Sequence, residues 1–389
     1  MRSDFLVVGG GIAGASAGYF LAPHGRVTLL EREPVTGYHS TGRSAALFSE
    51  YYGNGAVRAL TAASRPFYTA PPSGFREALL SPRGVLTLCP HGAEARFAEV
   101  LAAGLTAPTP VRELCPGEAE RYCPIVRPEW FSRAMLKPAA MDIDVDAVHQ
   151  GFLRGISERG GLVVRSAGVR ALTRRGGAWE AVTDAGVFIA GCVVNAAGAW
   201  ADEIARLAGV PGIGLTPLRR SACIVAPPAA ADVSGWPMVA DVTETFYFKP
   251  ESGRLLLSPA DATPVPPGDA RPDDTDVAIA IDRVQAATTL EIRHVQHSWA
   301  GLRCAVGDDT PVVGQAPGEA GFFWLAGLSG YGIQTAPAVG QLAAALATGA
   351  PVPLGDNNAG IDLANLSPKR FLAGPPDAGL GSGSKAGLA

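Results

Sequence analysis

Near the N-terminus, unbroken apolar runs alternate with a stretch of small residues. Phe5-Leu6-Val7-Val8 and Val27-Thr28-Leu29-Leu30 are the runs, and 12–21 lies between them. Such runs suit strands buried on both faces of a parallel sheet, and the stretch between them predicts the crossover helix. Val57, Leu60, Ala63 and Phe67 recur at spacings of three and four, predicting a helix over 54–68 that Pro71-Pro72 ends. A strand over 85–89 and a polar helix over 93–103 follow. Asp144 caps a helix carrying Val145, Val148, Phe152 and Ile156, and Gly160-Gly161 stop it. Strands are predicted over 162–165 and 169–173, with a small β excursion over 178–182 and 186–188.

The apolar run at 192–195 passes into Ala196-Ala197-Gly198 and then into a helix marked by Trp200, Ile204 and Leu207. Short β-prone runs at 219–225, 236–240, 245–249 and 255–258 are separated by Pro, Gly and Asp, which predicts an antiparallel sheet. A Pro- and Asp-rich loop over 263–276 precedes a helix over 277–290. A strand over 322–327, a Gly-rich turn over 328–335 and a last helix over 336–347 close the pattern. From Gly374 the composition is Gly, Ser, Pro and Ala, which predicts a flexible tail over 373–389.

Bulk properties narrow the field. The chain has 389 residues, 47% hydrophobic and 17% charged, long enough for two domains and too apolar for disorder. A net charge of −4 without basic runs gives no reason to expect nucleic acid as a partner. No run of about 18 apolar residues predicts a membrane span. Met1-Arg2-Ser3 leads directly into the first strand, so a cytoplasmic protein is expected. Cys89, Cys115, Cys123, Cys192, Cys223 and Cys304 form no CxxC pair and no metal spacing with the six histidines, so reduced thiols and no metal are expected.

The chemistry begins at Gly9-Gly10-Gly11-Ile12-Ala13-Gly14. Gly9 suits a tight turn, Gly11 close approach of backbone to a pyrophosphate, and Gly14 close packing of helix on strand. Glu31 ends the second strand, where its carboxylate can accept from both ribose hydroxyls and would repel a 2′-phosphate. This fingerprint marks a dinucleotide site without separating FAD from NAD. Tyr38 to Ala46 is too small and polar for a core element; taken alone it is equally a solvated loop. The turn before the last helix presents a second glycine-preceded helix N-terminus, suited to partial negative charge.

The blocks 9–14 (GGGIAG), 39–46 (HSTGRSAA), 194–202 (VNAAGAWAD), 299–303 (WAGLR) and 328–335 (LSGYGIQT) occur in one order. Together they resemble the FAD-dependent amino acid oxidases and dehydrogenases of the D-amino acid oxidase superfamily, and within it most resemble the bacterial D-arginine dehydrogenases, from Asp4 to about Arg370. The resemblance implies an α/β fold: a Rossmann-like, glutathione-reductase-like FAD-binding domain (1–77, 142–212, 303–372) and a substrate domain with a mainly antiparallel sheet (78–141, 213–302). It implies non-covalent FAD held by Gly9, Gly11, Ala13, Gly14, Glu31, Arg32, Ser40, Thr41, Gly42, Arg43, Ser44, Ala45, Ala46, Leu47, Val169, Ala197, Gly198, Ser329, Gly330, Tyr331, Gly332, Ile333 and Gln334.

The same resemblance implies that Arg220, Tyr247 and Arg303 hold a substrate carboxylate. Tyr52 would lie over the amine, which the Gly330 carbonyl accepts from. Leu47, Glu50, Val85 and Gln334 would complete the pocket. Arginine supplies the fork-shaped donors that a carboxylate leaving water needs.

Two departures bear on the substrate. Where the D-arginine enzymes carry a glutamate and a histidine, this chain has Val85 and Leu47. A guanidinium buried there without counter-charge costs several kcal/mol, so a neutral or apolar side chain is expected unless Glu50 replaces the charge. The expected reaction is hydride loss from Cα of an α-amino acid, D by resemblance alone, to an imino acid that hydrolyses to a 2-oxo acid and ammonia. The electron acceptor, O2 or quinone-like, is not legible. Rival readings are an oxidase of sarcosine, glycine or proline-like amines, an NAD-dependent dehydrogenase, and a non-catalytic flavin-binding subunit.

Overall fold

The strands Arg2–Val8 and Val27–Leu30 lie parallel, Val8 opposite Leu30, with the helix Ile12–Leu21 crossing between them. The structure, a computed structural model, describes residues 1–105, 107, 109–352 and 360–371; the expected tail over 373–389 lies outside these. Leu162–Val164, Val27–Leu30, Arg2–Val8, Gly186–Asn195 and Phe322–Ala326 form the parallel centre of an eight-stranded sheet. Val312–Gln315 adds an antiparallel edge, and the hairpin Val169–Arg175 with Ala178–Thr183 pairs with the first half of Gly186–Asn195.

Two expectations change here. The pieces at 186–188 and 192–195 are one ten-residue strand, whose first half bonds the hairpin and whose second half bonds Phe322–Ala326. The last helix is Gly332–Thr348, beginning four residues before the expected start. Gly332 to Thr335 are therefore its first turn rather than a loop. It packs closely on Ile12–Leu21: a Cβ at Gly340 would overlap the Ser16 hydroxyl, which donates to the Ala336 carbonyl.

The second sheet has nine strands. Thr216–Val225 pairs with Val295–Ala305 on one side and with Arg254–Ser258 on the other. Tyr247–Glu251, Met238–Asp241, Val85–Pro90, Phe131–Lys137 and Arg112–Leu114 continue it. All these pairs are antiparallel except Met238–Asp241 on Val85–Pro90. The strands Phe131–Lys137 and Val295–Ala305 were not predicted. The second carries this sheet past residue 303, so Arg303 stands on the second sheet. Among the described residues no helix is long and apolar enough to cross a membrane.

His149 braces the first glycine turn from beneath, its Nε2 2.9 Å from the Gly10 carbonyl. Burial lowers its pKa from the ordinary 6.5, against the opposing pull of that carbonyl and of Asp146. The unfolded chain thus binds the proton first. The stability is complete above about pH 6.5 and falls as pH drops through the window between the unfolded and folded values. His149→Gln is expected to flatten that acid limb in pH-dependent urea melts; an unchanged limb would assign the slope to other groups.

Candidate active site

A cavity of about 530 Å³ is walled by residues of both sheets. Its first end is the glycine turn. Gly9 has φ +110°, and a Cβ there would overlap the Ala196 carbonyl oxygen. The helix Ile12–Leu21 is capped by Gly11, which brings no side chain, so apart from the Ile12 N–H, which Thr41 takes, its positive end is left to an anion. Gly14 lines nothing; a Cβ there would overlap the Gly9 carbonyl, so its role is the close crossing of helix and strand. Glu31 is buried, one carboxylate oxygen accepting from Gly10 N–H (2.9 Å) and the other from Glu33 N–H (2.8 Å). Both bonds orient it, and each oxygen keeps a lone pair for a hydroxyl. Arg32 stands 4.6 Å from the Trp200 ring centroid, and both line the cavity with Val169, Ala197 and Gly198.

Ser40, Thr41, Arg43, Ser44, Ala45, Ala46 and Leu47 also line it, but much of their polar chemistry serves the protein. Ser40 donates to the Leu302 carbonyl (2.6 Å) and Ser44 to the Thr41 carbonyl (2.9 Å). Thr41 Oγ1 accepts from Ile12 N–H (3.0 Å). Arg43 straps the second sheet, donating to the carbonyls of Ala270 (2.9 Å) and Ala300 (3.0 Å) and pairing with Asp269. Gly42 is not in the wall; its N–H bonds the Gly37 carbonyl.

Strand register builds the other end. Arg220 is opposite Gly301, and Leu218 opposite Arg303. Residues directly opposite share a sheet face, and so do residues two apart, so Arg220 and Arg303 are diagonal neighbours on one face. The same row carries across the sheet: Ala222 is one register step from Ser258, which is opposite Tyr247, and Tyr247 is opposite Ala240. Met238 and its partner Val85 stay on that face. The fold thus gathers Arg220, Ala222, Met238, Tyr247 and Arg303 from four strands into one wall.

Tyr52 accepts a hydrogen bond from Arg303 Nη1 (3.0 Å), and a Cβ at Gly330 would lie 2.9 Å from the Tyr52 oxygen. Among the described residues neither Arg220 nor Arg303 has an ion pair, and Arg220 Nε is buried without any hydrogen-bond partner. Burial first, and Arg303 second, lower the Arg220 guanidinium. For Arg303, burial acts downward, but the Tyr52, Tyr247 and Tyr331 hydroxyls outweigh it and the net shift is upward. Two adjacent unpaired cations in a cavity are costly, and a bound anion relieves both.

Two expected pocket residues, Glu50 and Val85, and one expected cofactor contact, Tyr331, fall elsewhere. Glu50 is held bidentately by Arg65 (2.7 and 2.6 Å) and does not line the cavity, so it cannot replace the missing counter-charge. Val85 packs behind the wall with Leu47 and Met238. Tyr331 caps the last helix and its hydroxyl donates to Asp309 (2.9 Å). Gln334 lines the cavity with Ser329, Gly330, Gly332 and Ile333, but its amide accepts from Ser49 N–H (3.1 Å) and donates to Thr61 (2.9 Å). Ala222 and Met238 were missed, although alternation from Arg220 along its strand places Ala222 beside it. Cys304 also lines the cavity; burial pushes its thiol up to about 12, leaving it protonated and a poor nucleophile. Among the described residues no group of His, Cys, Asp or Glu could hold a metal.

The donor set fits a dinucleotide: a cap without a side chain for a pyrophosphate, a buried carboxylate for a ribose diol, and a second helix end at Tyr331–Gly332. The chain is 27% identical over 366 residues to glycine oxidase of Geobacillus kaustophilus (strain HTA426), covering 89% of this chain and 93% of that one. The crystal structure of glycine oxidase from Geobacillus kaustophilus matches with a TM-score of 0.81 at 24% identity, covering 94% and 98%. Dimethylglycine dehydrogenase of Rattus norvegicus is 25% identical over 400 residues, 95% of this chain and 45% of its own. FAD-dependent oxidoreductase domain-containing protein 1 of Mus musculus is 30% identical over 175 residues, 39% of this chain and 34% of its own. The chain thus spans less than half the length of these two mammalian relatives. The family model for FAD dependent oxidoreductase (DAO) matches residues 4–346, so the chain belongs to the DAO family of FAD-dependent oxidoreductases.

Proposed function

We propose that the chain oxidises a small α-amino acid with a neutral side chain, of D configuration where it is chiral, to the imino acid, which water hydrolyses to a 2-oxo acid and ammonia. The observation that carries this is the pair of unpaired guanidinium groups, with Arg220 Nε lacking any partner. A carboxylate between Arg220 and Arg303 gains charge-assisted bonds and removes their mutual repulsion. The Tyr247 and Tyr52 hydroxyls complete its surroundings, and the Gly330 carbonyl accepts from the amine. Leu47, Ala222 and Met238 leave an apolar wall for the side chain. With Glu50 taken by Arg65, a substrate guanidinium has no counter-charge there. FAD, when bound, supplies the acceptor for the hydride leaving Cα. The chain's own part is to fix the carboxylate and amine so that this bond is presented, and such positioning supplies much of the rate.

A second reading is an N-methylated glycine. It is supported by the likeness to dimethylglycine dehydrogenase along 95% of this chain, and it uses the same carboxylate clamp.

The test is anaerobic mixing of the FAD-loaded protein with glycine, sarcosine, proline and both enantiomers of alanine, leucine and arginine. Loss of the flavin's visible absorption with glycine or a neutral D-amino acid is expected. Preference for D-arginine would overturn the side-chain argument, and preference for sarcosine would favour the second reading. No bleaching by any amine would overturn the function. Repeating the turnover with O2 or a soluble quinone identifies the electron acceptor.

A further inference from the structure

Asp309 is an acid next to the cavity that the mechanism above leaves unused. Its carboxylate accepts from the Tyr331 hydroxyl (2.9 Å), and the neighbouring Ser329 hydroxyl acts on it to lower its pKa. Ser329 lines the cavity beside Gly330, whose carbonyl is assigned to the substrate amine. Both residues hold unusual backbone: Ser329 has φ +47° and Asp309 φ +50°, a left-handed region that L residues adopt at a cost. The surroundings enforce it. Ser329 N–H donates to the Cys304 carbonyl (3.0 Å), and Asp309 N–H to the Val306 carbonyl (2.9 Å). Strain held in this way next to a cavity is a mark of a working segment.

We propose that Asp309 takes the proton that the substrate ammonium must shed, relayed through the Ser329 hydroxyl. This rests on the amino acid reading above and goes beyond it, since that reading assigned no proton acceptor. The step balances. The ammonium gives one proton to Ser329 Oγ, and the Ser329 hydroxyl proton passes to Asp309. The products are a neutral amine with a free lone pair and a protonated Asp309. That lone pair forms the C=N bond as hydride leaves Cα.

The charges around Asp309 suit the role. Burial raises its pKa and so its basicity; the bonds from Tyr331 and Ser329 and the charge of Arg303 oppose this, and Asp308 adds to it. Asp308 is itself paired with Arg370 (2.8 Å), and Asn54 donates to the Asp309 backbone carbonyl (3.3 Å). Asp309 stands behind the wall; among the described residues the carboxylates that line the cavity are Glu31, held by two backbone N–H groups, Asp184, which pairs with Arg170, and Glu203.

The experiment is the pH profile of kcat/KM for the wild type, Asp309→Asn and Ser329→Ala, using the amino acid that bleaches the flavin best. Without the relay only substrate already deprotonated in solution reacts. The rising limb is expected to move up by about two units in both variants, which makes kcat/KM about 100-fold lower below it. A loss that is uniform in pH, or a moved limb in Asp309→Asn but not in Ser329→Ala, would overturn the relay. Ser329→Ala keeps the Asp309–Tyr331 bond, so it tests the idea even if Asp309→Asn does not fold. Acetate, which has no amine, is titrated against the flavin spectrum in the same proteins. Acetate that perturbs the spectrum equally in all three leaves the carboxylate clamp intact and isolates the relay. Acetate that fails even in the wild type counts against the clamp instead.

Discussion

Arg303→Met should lower kcat/KM by roughly 30- to 5000-fold, about 2–5 kcal/mol, while FAD stays bound. Arg303 lies at the substrate end, and the expected pyrophosphate and ribose contacts are at the other, so cofactor and substrate losses separate. The loss should appear in KM and in acetate affinity, because the guanidinium grips a group that does not react. Arg220→Met should cost as much in binding yet leave the thermal midpoint of the ligand-free protein unchanged or higher. Its guanidinium sits with Nε unpaired and Arg303 as neighbour, so the apolar side chain removes an unfavourable charge. Saturating acetate, at about 100 times its Kd, should stabilise the wild type by about 2.7 kcal/mol and both variants by much less. Arg303→Met with unchanged acetate affinity would place the carboxylate elsewhere.

The elements that could be read from the sequence are those whose burial is local and one-sided in kind. Phe5 to Val8 and Val27 to Leu30 are apolar at nearly every position because both faces of their sheet are covered. The helices after Asn54 and Asp144 announce themselves by an apolar stripe; the Asp144 cap bonds a backbone N–H as expected, and Asn54 proves to cap its helix in the same way. Val295–Ala305 could not be read so. Its burial alternates only from Ala300 onward, and its inward positions carry Gly301 and Arg303, not bulky apolar residues. What makes it a strand is a ten-pair ladder to Thr216–Val225, some 80 residues away in sequence. Phe131–Lys137 likewise gains its form from Val85–Pro90, about 45 residues earlier.

The site divides in the same way. Glycines and Glu31 could be assigned because their chemistry is tied to backbone geometry within one βαβ unit. Arg220 and Arg303 needed the resemblance, since an arginine in isolation is as well explained by a surface pair. Register then explains why they meet. Arg43, Glu50 and Gln334 illustrate what spacing cannot reveal: a polar side chain near a cavity can spend itself on Ala300, on Arg65 or on Ser49 as readily as on a ligand. Met238 had no signal of its own, being an apolar residue in a strand; only its place opposite Val85 and near Tyr247 sets it in the wall.

Gly14→Ala is expected to be the most damaging single-methyl change in the chain. The added Cβ would overlap the Gly9 carbonyl oxygen and lie 3.1 Å from Val7 Cγ1. Neither neighbour can yield. Gly9 is fixed by its +110° turn against Ala196, and Val7 is fully buried in the central parallel strand. The helix must therefore lift from the sheet, which misplaces its N-terminus and opens the contact with the last helix. Loss of more than about 4 kcal/mol follows, in the range of backbone collisions within a packed core. Protein that is soluble should be colourless, with an absorbance ratio showing little FAD. Gly55→Ala is the matched control: it adds the same methyl at the start of the helix Gly55–Thr69, where nothing lies within 4 Å. It should be neutral or stabilising by up to about 1 kcal/mol. Thermal melting and the flavin-to-protein absorbance ratio of the two variants decide the matter. A yellow Gly14→Ala protein melting with the wild type would mean that helix and strand do not cross as closely as the dinucleotide site requires.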